Sequence, residues 1–157
     1  MLSAVVFERK NEDIAAGIAK SLSHLRWRCG DGLIIASRLG KNHTPSLVVV
    51  SPRSARESAL PQRAVCGTLL IPGGSDSAIR AGNICTYGMS SGDLITMSSL
   101  SSNGYVISVQ RELSTLTGET VDAQDIPVKR KPPMSADGTL ALSAALLLLG
   151  VPPQMLQ

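Results

Sequence analysis

The sequence predicts a single α/β domain: an open, mainly parallel, Rossmann-like sheet with an antiparallel β-meander extension and a buried C-terminal helix. Three observations carry this expectation. In residues 1–90, aliphatic and β-branched runs are separated by helix-length segments, the pattern of a parallel sheet. In residues 91–131 the runs shorten and are joined by Ser-Ser-Asn-Gly and Leu-Thr-Gly-Glu, the pattern of antiparallel strands and tight turns. Residues 135–150 hold one segment that is apolar almost all round, stopped by Gly150 with Pro152 and Pro153 beyond, so it must be buried or face a partner. A chain of 157 residues fills one core and not two.

Taken in order, Ser3 to Glu8 reads as a short buried strand. Asn11 can cap a helix in which Ile14, Ile18, Leu22 and Leu25 recur at helical spacing through Trp27, with Gly30-Asp31-Gly32 as its stop. Leu33 to Ser37 fits either a strand or a helix start. Leu47 to Val50, bounded by Pro45 and Pro52, reads as a buried strand. Ser54 to Arg63 reads as a polar, helix-prone connection. Val65 to Ile71 and Ile84 to Tyr87 supply two more strands, with a polar turn and a short helix expected between them. Leu94 to Met97, Gly104 to Val109, Glu112 to Leu116, Glu119 to Val121 and Ile126 to Val128 make the meander. Within it, Tyr105, Ile107 and Val109 alternate with more polar neighbours, as in a half-buried strand. Lys129 to Pro133 is an exposed link, and Thr139 to Leu149 the closing helix.

The composition is 43% hydrophobic, 17% charged and only 3% aromatic, with Phe7, Trp27, Tyr87 and Tyr105 as the rings. So few charges suggest that part of the apolar surface is covered by another subunit. Net charge is +3 but uneven: residues 1–63 carry 10 Lys/Arg against 5 Asp/Glu, and residues 64–126 carry 2 against 6. The basic residues of the first segment are scattered singly with almost no aromatic interleaving, so nucleic-acid binding is not expected. Cys29, Cys66 and Cys85 form no CxxC pair and imply neither a zinc site nor a disulfide framework. No signal-type or membrane-spanning apolar run occurs, and the expected location is cytoplasmic, away from membranes.

Strand ends of open α/β sheets are where ligands bind. That rule places the candidate ligand-binding residues at Gly73, Gly74, Ser75, Asp76 and Ser77, and at Tyr87, Gly88, Ser90 and Ser91. Glycines there admit a ligand close to the backbone, and backbone N–H groups suit a small anion, although Asp76 would repel one. Ser75, Asp76 or Ser77 could equally cap the expected helix. No GxGxxG or GxxxxGK[ST] pattern is present. A reactive Cys85 would need a base, and His24 and His43 both lie in the first third, so core packing is the simpler reading. Glu119, Asp122 and Asp125 read as solvated turn acids, and Arg80 and Arg111 as surface cations that could clamp a carboxylate or phosphate.

Two stretches resemble known families. Leu69 to Gly74 followed by Ile84 to Gly88 looks like a compressed version of the strand end and nucleophilic cysteine of class I glutamine amidotransferases. Only ten residues separate Gly74 from Cys85, and no histidine follows. A longer resemblance runs from Leu69 to Gln157. Thr86-Tyr87-Gly88, the meander and Leu140-Ala-Leu-Ser-Ala-Ala-Leu-Leu-Leu-Leu-Gly-Val-Pro152 are similar in order to the latter half of the central domain of Mur-type peptidoglycan ligases. The phosphate-binding GKT loop is absent, and Ala136-Asp137-Gly138 stands where that family has a His-Asn pair. The resemblance therefore implies the architecture without the ATP-dependent ligation. The expected function is a non-catalytic ligand-binding or assembly domain, acting as a homo-oligomer or with an accessory partner and needing no cofactor. The alternatives are a degenerate Mur-ligase-like nucleotide or sugar-nucleotide binder, or a small enzyme using the strand-end loops.

Overall fold

A computed structural model describes residues 1–27, 29, 32–57, 60–61 and 63–157. The strands are β1 (Leu2–Phe7), β2 (Leu33–Ala36), β3 (Leu47–Val50), β4 (Ala64–Pro72), β5 (Ile79–Gly88), β6 (Ile95–Leu100), β7 (Gly104–Val109), β8 (Leu113–Ser114), β9 (Thr120–Val121) and β10 (Gln124–Lys129). Eight of them form one sheet in the order β10-β7-β6-β5-β4-β3-β1-β2, while β8 and β9 pair separately. From β2 to β6 all neighbours run parallel. The β6–β7 and β7–β10 pairs are antiparallel. The helices among the described residues are α1 (Ile14–His24), α2 (Pro52–Arg56) and α3 (Ala136–Leu148), followed by a short 3-10 turn at Pro153–Met155. Among the described residues, no helix is long and apolar enough to cross a membrane.

The main core lies on the sheet face covered by α1 and α3. Val6, Val49, Leu70, Tyr87, Ile95, Ile107 and Ile126 meet Ile14 and Ile18 of α1 and the whole of α3 there. All eleven residues from Gly138 to Leu148 are buried, so the apolar helix is enclosed by its own chain and needs no partner to hide it. Gly17 makes the helix contact possible: a Cβ there would lie 3.1 Å from a methyl of Leu142. Each such leucine, removed from water, contributes about 2 kcal/mol. The opposite face holds a smaller cluster around Val5, Val48, Val50, Cys66, Leu69, Ile71 and Ile79. Residues of β3 are buried on both faces, as in the middle of a parallel sheet.

Several sequence expectations need correction. The first helix ends at His24, before Trp27 and before Gly30-Asp31-Gly32, of which Gly30 and Asp31 lie outside the described residues. Asn11 does not cap it. Asn11 has φ 71, Asp13 takes the cap position with no side-chain bond, and the Glu8 carboxylate accepts from the N–H groups of Ile14 (2.7 Å) and Ala15 (3.2 Å). Leu33–Ala36 is a strand, paired in parallel with β1. In the connection expected over Ser54 to Arg63, the described helix is the single turn α2, begun by Pro52 and capped by Ser51; Ser58, Ala59 and Gln62 lie outside the described residues. The meander is interrupted, because β8 and β9 fold away as a ribbon and β10 takes their place beside β7. Pro127 on that edge strand lacks an N–H to offer another sheet.

The largest correction concerns the link between β4 and β5. No helix forms over Ser75 to Ser77; residues 73–78 connect two long parallel strands directly. Parallel strands are usually joined by a dozen or more residues. Seven Cα steps reach at most about 25 Å, roughly the length of a straight nine-residue strand, so the link closes only if both strands bend. They change phase together. In β4, Cys66 and Leu69 point to one face although they are three residues apart, and in β5 Ala81 shares that face while Cys85 and Tyr87 take the other. The phase change falls at Gly67 and Gly82, opposite each other in the 15-residue register. A Cβ on Gly67 would lie 2.8 Å from the Ser46 carbonyl oxygen, and one on Gly82 3.1 Å from that of Gly67.

Candidate functional site

Parallel pairing aligns the C-terminal ends of β1, β3, β4 and β5 on one rim. Phe7 pairs with Val50 and Pro72 with Tyr87, and the Gly73 N–H donates to the Tyr87 carbonyl at 2.9 Å. The two stretches singled out from sequence thus meet. Pro72-Gly73-Gly74-Ser75 is a tight turn closed by the Ser75 N–H on the Pro72 carbonyl (3.3 Å), with Gly74 at φ +76, a conformation glycine adopts freely.

A cleft of about 330 Å³ opens at this rim. Of the sequence-derived residues, Gly73, Ser75, Tyr87, Gly88 and Ser90 line it; Gly74, Asp76, Ser77 and Ser91 do not. Ser77 instead accepts the Ile79 N–H (3.1 Å) at the start of β5, and Asp76 is exposed. Neither they nor Ser75 cap a helix, since none follows.

The charged groups of the cleft are ones the sequence did not single out: Asp93, Asp137 and Arg56. Asp93 is 5% exposed. The loop after β5 delivers it: the Asp93 N–H donates to the Ser90 carbonyl (3.1 Å), and the Ser90 N–H donates back to Asp93 Oδ2 (3.2 Å). Its carboxylate lies against two glycines. A Cβ on Gly88 would come within 2.5 Å of Oδ2, and one on Gly73 would overlap Oδ1. Glycine at both positions is therefore a condition for seating this carboxylate. Among the described residues, one neutral N–H is its hydrogen-bond donor and no cation lies within ion-pair distance. Buried carboxylates normally have fuller company. Asp137 reaches the cleft from the first turn of α3, whose N-terminus is capped by Ser135 accepting from the Gly138 N–H (3.0 Å).

Tyr87 forms the cleft wall. Its hydroxyl donates to the Val50 carbonyl at 2.7 Å. Burial raises its pKa well above the ordinary phenol value, the charges of Glu12 and Asp137 add to this, and Arg56 opposes it. Burial likewise pushes the Cys85 thiol up to about 12, with Arg111 pulling weakly the other way, so it stays protonated near neutrality. That agrees with Cys85 as a core residue. Both histidines lie elsewhere: His24 ends α1, and His43 lines a different cleft at the other end of the sheet.

The neighbouring turns are filled by the chain's own acids. Glu8 occupies the N-terminus of α1, where a phosphate would bind in a Rossmann-type turn. Glu12 accepts from the Arg9 N–H (2.7 Å), the Ser51 hydroxyl (2.5 Å) and the Arg53 N–H (3.1 Å), tying the β1–α1 turn to α2. Glu119, Asp122 and Asp125 are exposed and distant from this rim in the sheet order. Arg80 and Arg111 do not share a site: Arg80 lines the cleft at the opposite end of β5, and Arg111 follows β7. No protein-family model and no curated protein matches this chain.

Proposed function

We propose that the protein is a non-catalytic binding domain that holds a small polar molecule in the rim cleft. The observation that carries this reading is Asp93, a carboxylate seated between two glycines whose one hydrogen-bond donor among the described residues is a backbone N–H, with no cation of theirs within ion-pair distance. A ligand supplying an ammonium or hydroxyl groups would complete its hydrogen bonding, and a charge-assisted bond is the strong kind. Asp137 offers a second acceptor, and Arg56 suits a carboxylate or phosphate on the same molecule. The preferred ligand is thus a zwitterion or a hydroxylated acid rather than a simple anion. Binding without bond-breaking is supported by the state of the polar groups at the rim: Tyr87 is engaged with Val50, and Cys85 is held as a thiol.

A thermal-shift panel of amino acids, hydroxy acids, sugars and nucleotides tests the proposal. A stabilising hit lost in Asp137→Ala and Arg56→Ala is the expected result. Stabilisation by nucleotides alone would favour the Mur-ligase-like alternative, which must contend with Glu8 in the α1 anion position. No hit across the panel would remove the proposal.

Assembly is a second reading, favoured by four large apolar strand residues left more than half exposed among the described residues: Ile34 (55%), Val65 (56%), Ile84 (62%) and Leu100 (61%). Light scattering on a sizing column would show a dimer or larger species if copies cover these residues. A strict monomer at micromolar concentration would dispose of it.

A further inference from the structure

The opposite end of the β4–β5 pair carries a second, chemically distinct cleft. We propose that it binds a small phosphorylated organic molecule between Arg63 and Arg80. Arg63 immediately precedes β4 and Arg80 is the second residue of β5; the pairing of Ala64 with Ile79 and Val65 with Arg80 brings the two side chains to one place. Both arginines are exposed and line a cleft of about 910 Å³, which His43 and Thr44 enter from the loop before β3.

Among the described residues no carboxylate lines this cleft, and the ion pairs found among them, Arg9–Glu57 and Arg53–Glu57, involve neither arginine. Two guanidinium groups facing one concave space repel each other, and an anion between them turns that repulsion into two attractive contacts. Guanidinium forks match the oxygen geometry of a phosphate, and Thr44 adds a hydroxyl donor. Leu39 and the exposed Val65 supply apolar wall beside the charges, and the volume exceeds what a bare phosphate needs. The site therefore suits a phosphate carried on an organic body. Residues 73–78 join the two clefts, with Gly73 and Ser75 at the rim and Ala78 at the basic end.

The test is a backbone-amide NMR titration of the full chain with inorganic pyrophosphate, at ionic strength held constant with sodium chloride. The expected result is saturable shifts at Thr44, Ala64, Val65 and Arg80 while Gly73 and Gly88 stay still. Affinity should fall at least about tenfold in the Arg63→Ala/Arg80→Ala double variant, which is about 1.4 kcal/mol of lost binding. Arg80→Gln alone, a single surface change, provides the same readout at smaller size should the double variant lose its fold. Absence of saturable shifts into the millimolar range, or equal shifts in the variants, would overturn the proposal. So would binding of a single-stranded oligonucleotide at these residues with no response to pyrophosphate, because the cleft would then be a nucleic-acid surface.

Discussion

The two ends of the β4–β5 pair have the same backbone pairing and opposite chemistry. At the C-terminal end, Asp93 and Asp137 face one arginine, and the adjoining helix turns are closed by Glu8 and Glu12. At the N-terminal end, Arg63 and Arg80 line one cleft, and among the described residues no acid lines it with them. A parallel sheet with helical crossovers keeps such ends apart by long connections, whereas here six residues run from one to the other. Charge placement, rather than strand geometry, separates the two clefts: on the readings proposed above, the acidic end would take a ligand bearing donors and the basic end one bearing phosphate.

Four perturbations would sharpen or break that contrast. The largest effect is expected from Leu142→Ala in α3, which should lower unfolding free energy by about 2–5 kcal/mol in chemical denaturation. It acts on the shared core, so it should weaken both ends together; loss at one end alone would mean that the ends fold independently. Gly88→Val comes next, because its side chain must displace the Asp93 carboxylate. A cost of about 1–3 kcal/mol is expected, with rim binding abolished and the response to pyrophosphate retained. Tyr87→Phe removes the donor to Val50 and should cost about 1 kcal/mol, read as a lower denaturation midpoint with an unchanged slope.

The smallest effect concerns pH. Burial raises the Glu8 pKa above its ordinary 4.5, outweighing the Ile14 and Ala15 N–H groups that lower it. For an acid whose folded pKa is raised, the folded state holds the proton more tightly than the unfolded one. The associated stability is fully present below the unfolded value and is lost as pH rises through the folded value. Comparing wild type with Glu8→Gln across that interval should show the wild type losing ground as pH increases from about 4.5. A constant difference would mean that the α1 turn does not sense this proton.

Much of the architecture was legible because periodicity is local. The buried run Leu47–Val50, the alternation of Tyr105, Ile107 and Val109, and the apolar helix before Gly150 each declare themselves within a dozen residues. The shared rim was legible too, since parallel strands of a twisted sheet point the same way. What failed was the link after Gly74, where Ser75-Asp76-Ser77 has the composition of a helix start. The compensating signal was Gly67 and Gly82 inside two apolar runs, the mark of a bend or a close backbone approach. The separation of β8 and β9 from the meander gave no local sign. At the candidate site, glycines and serines pointed to the rim, but the acids that line its cleft, Asp93 and Asp137, come from a turn and a helix start whose closeness depends on tertiary packing. A signal for Asp93 existed, because Gly73 and Gly88 leave room at the rim that some group must fill.

The most direct test of the rim site is a heteronuclear NMR screen of small zwitterions and hydroxylated acids against the wild-type chain, with hits titrated into Asp137→Ala and Arg56→Ala. Saturable perturbation of the Gly73, Tyr87, Gly88 and Ser90 amides, weakened in both variants, is the expected result. Hits that bind elsewhere on the molecule, or that perturb the rim equally when Asp137 and Arg56 are gone, would contradict it.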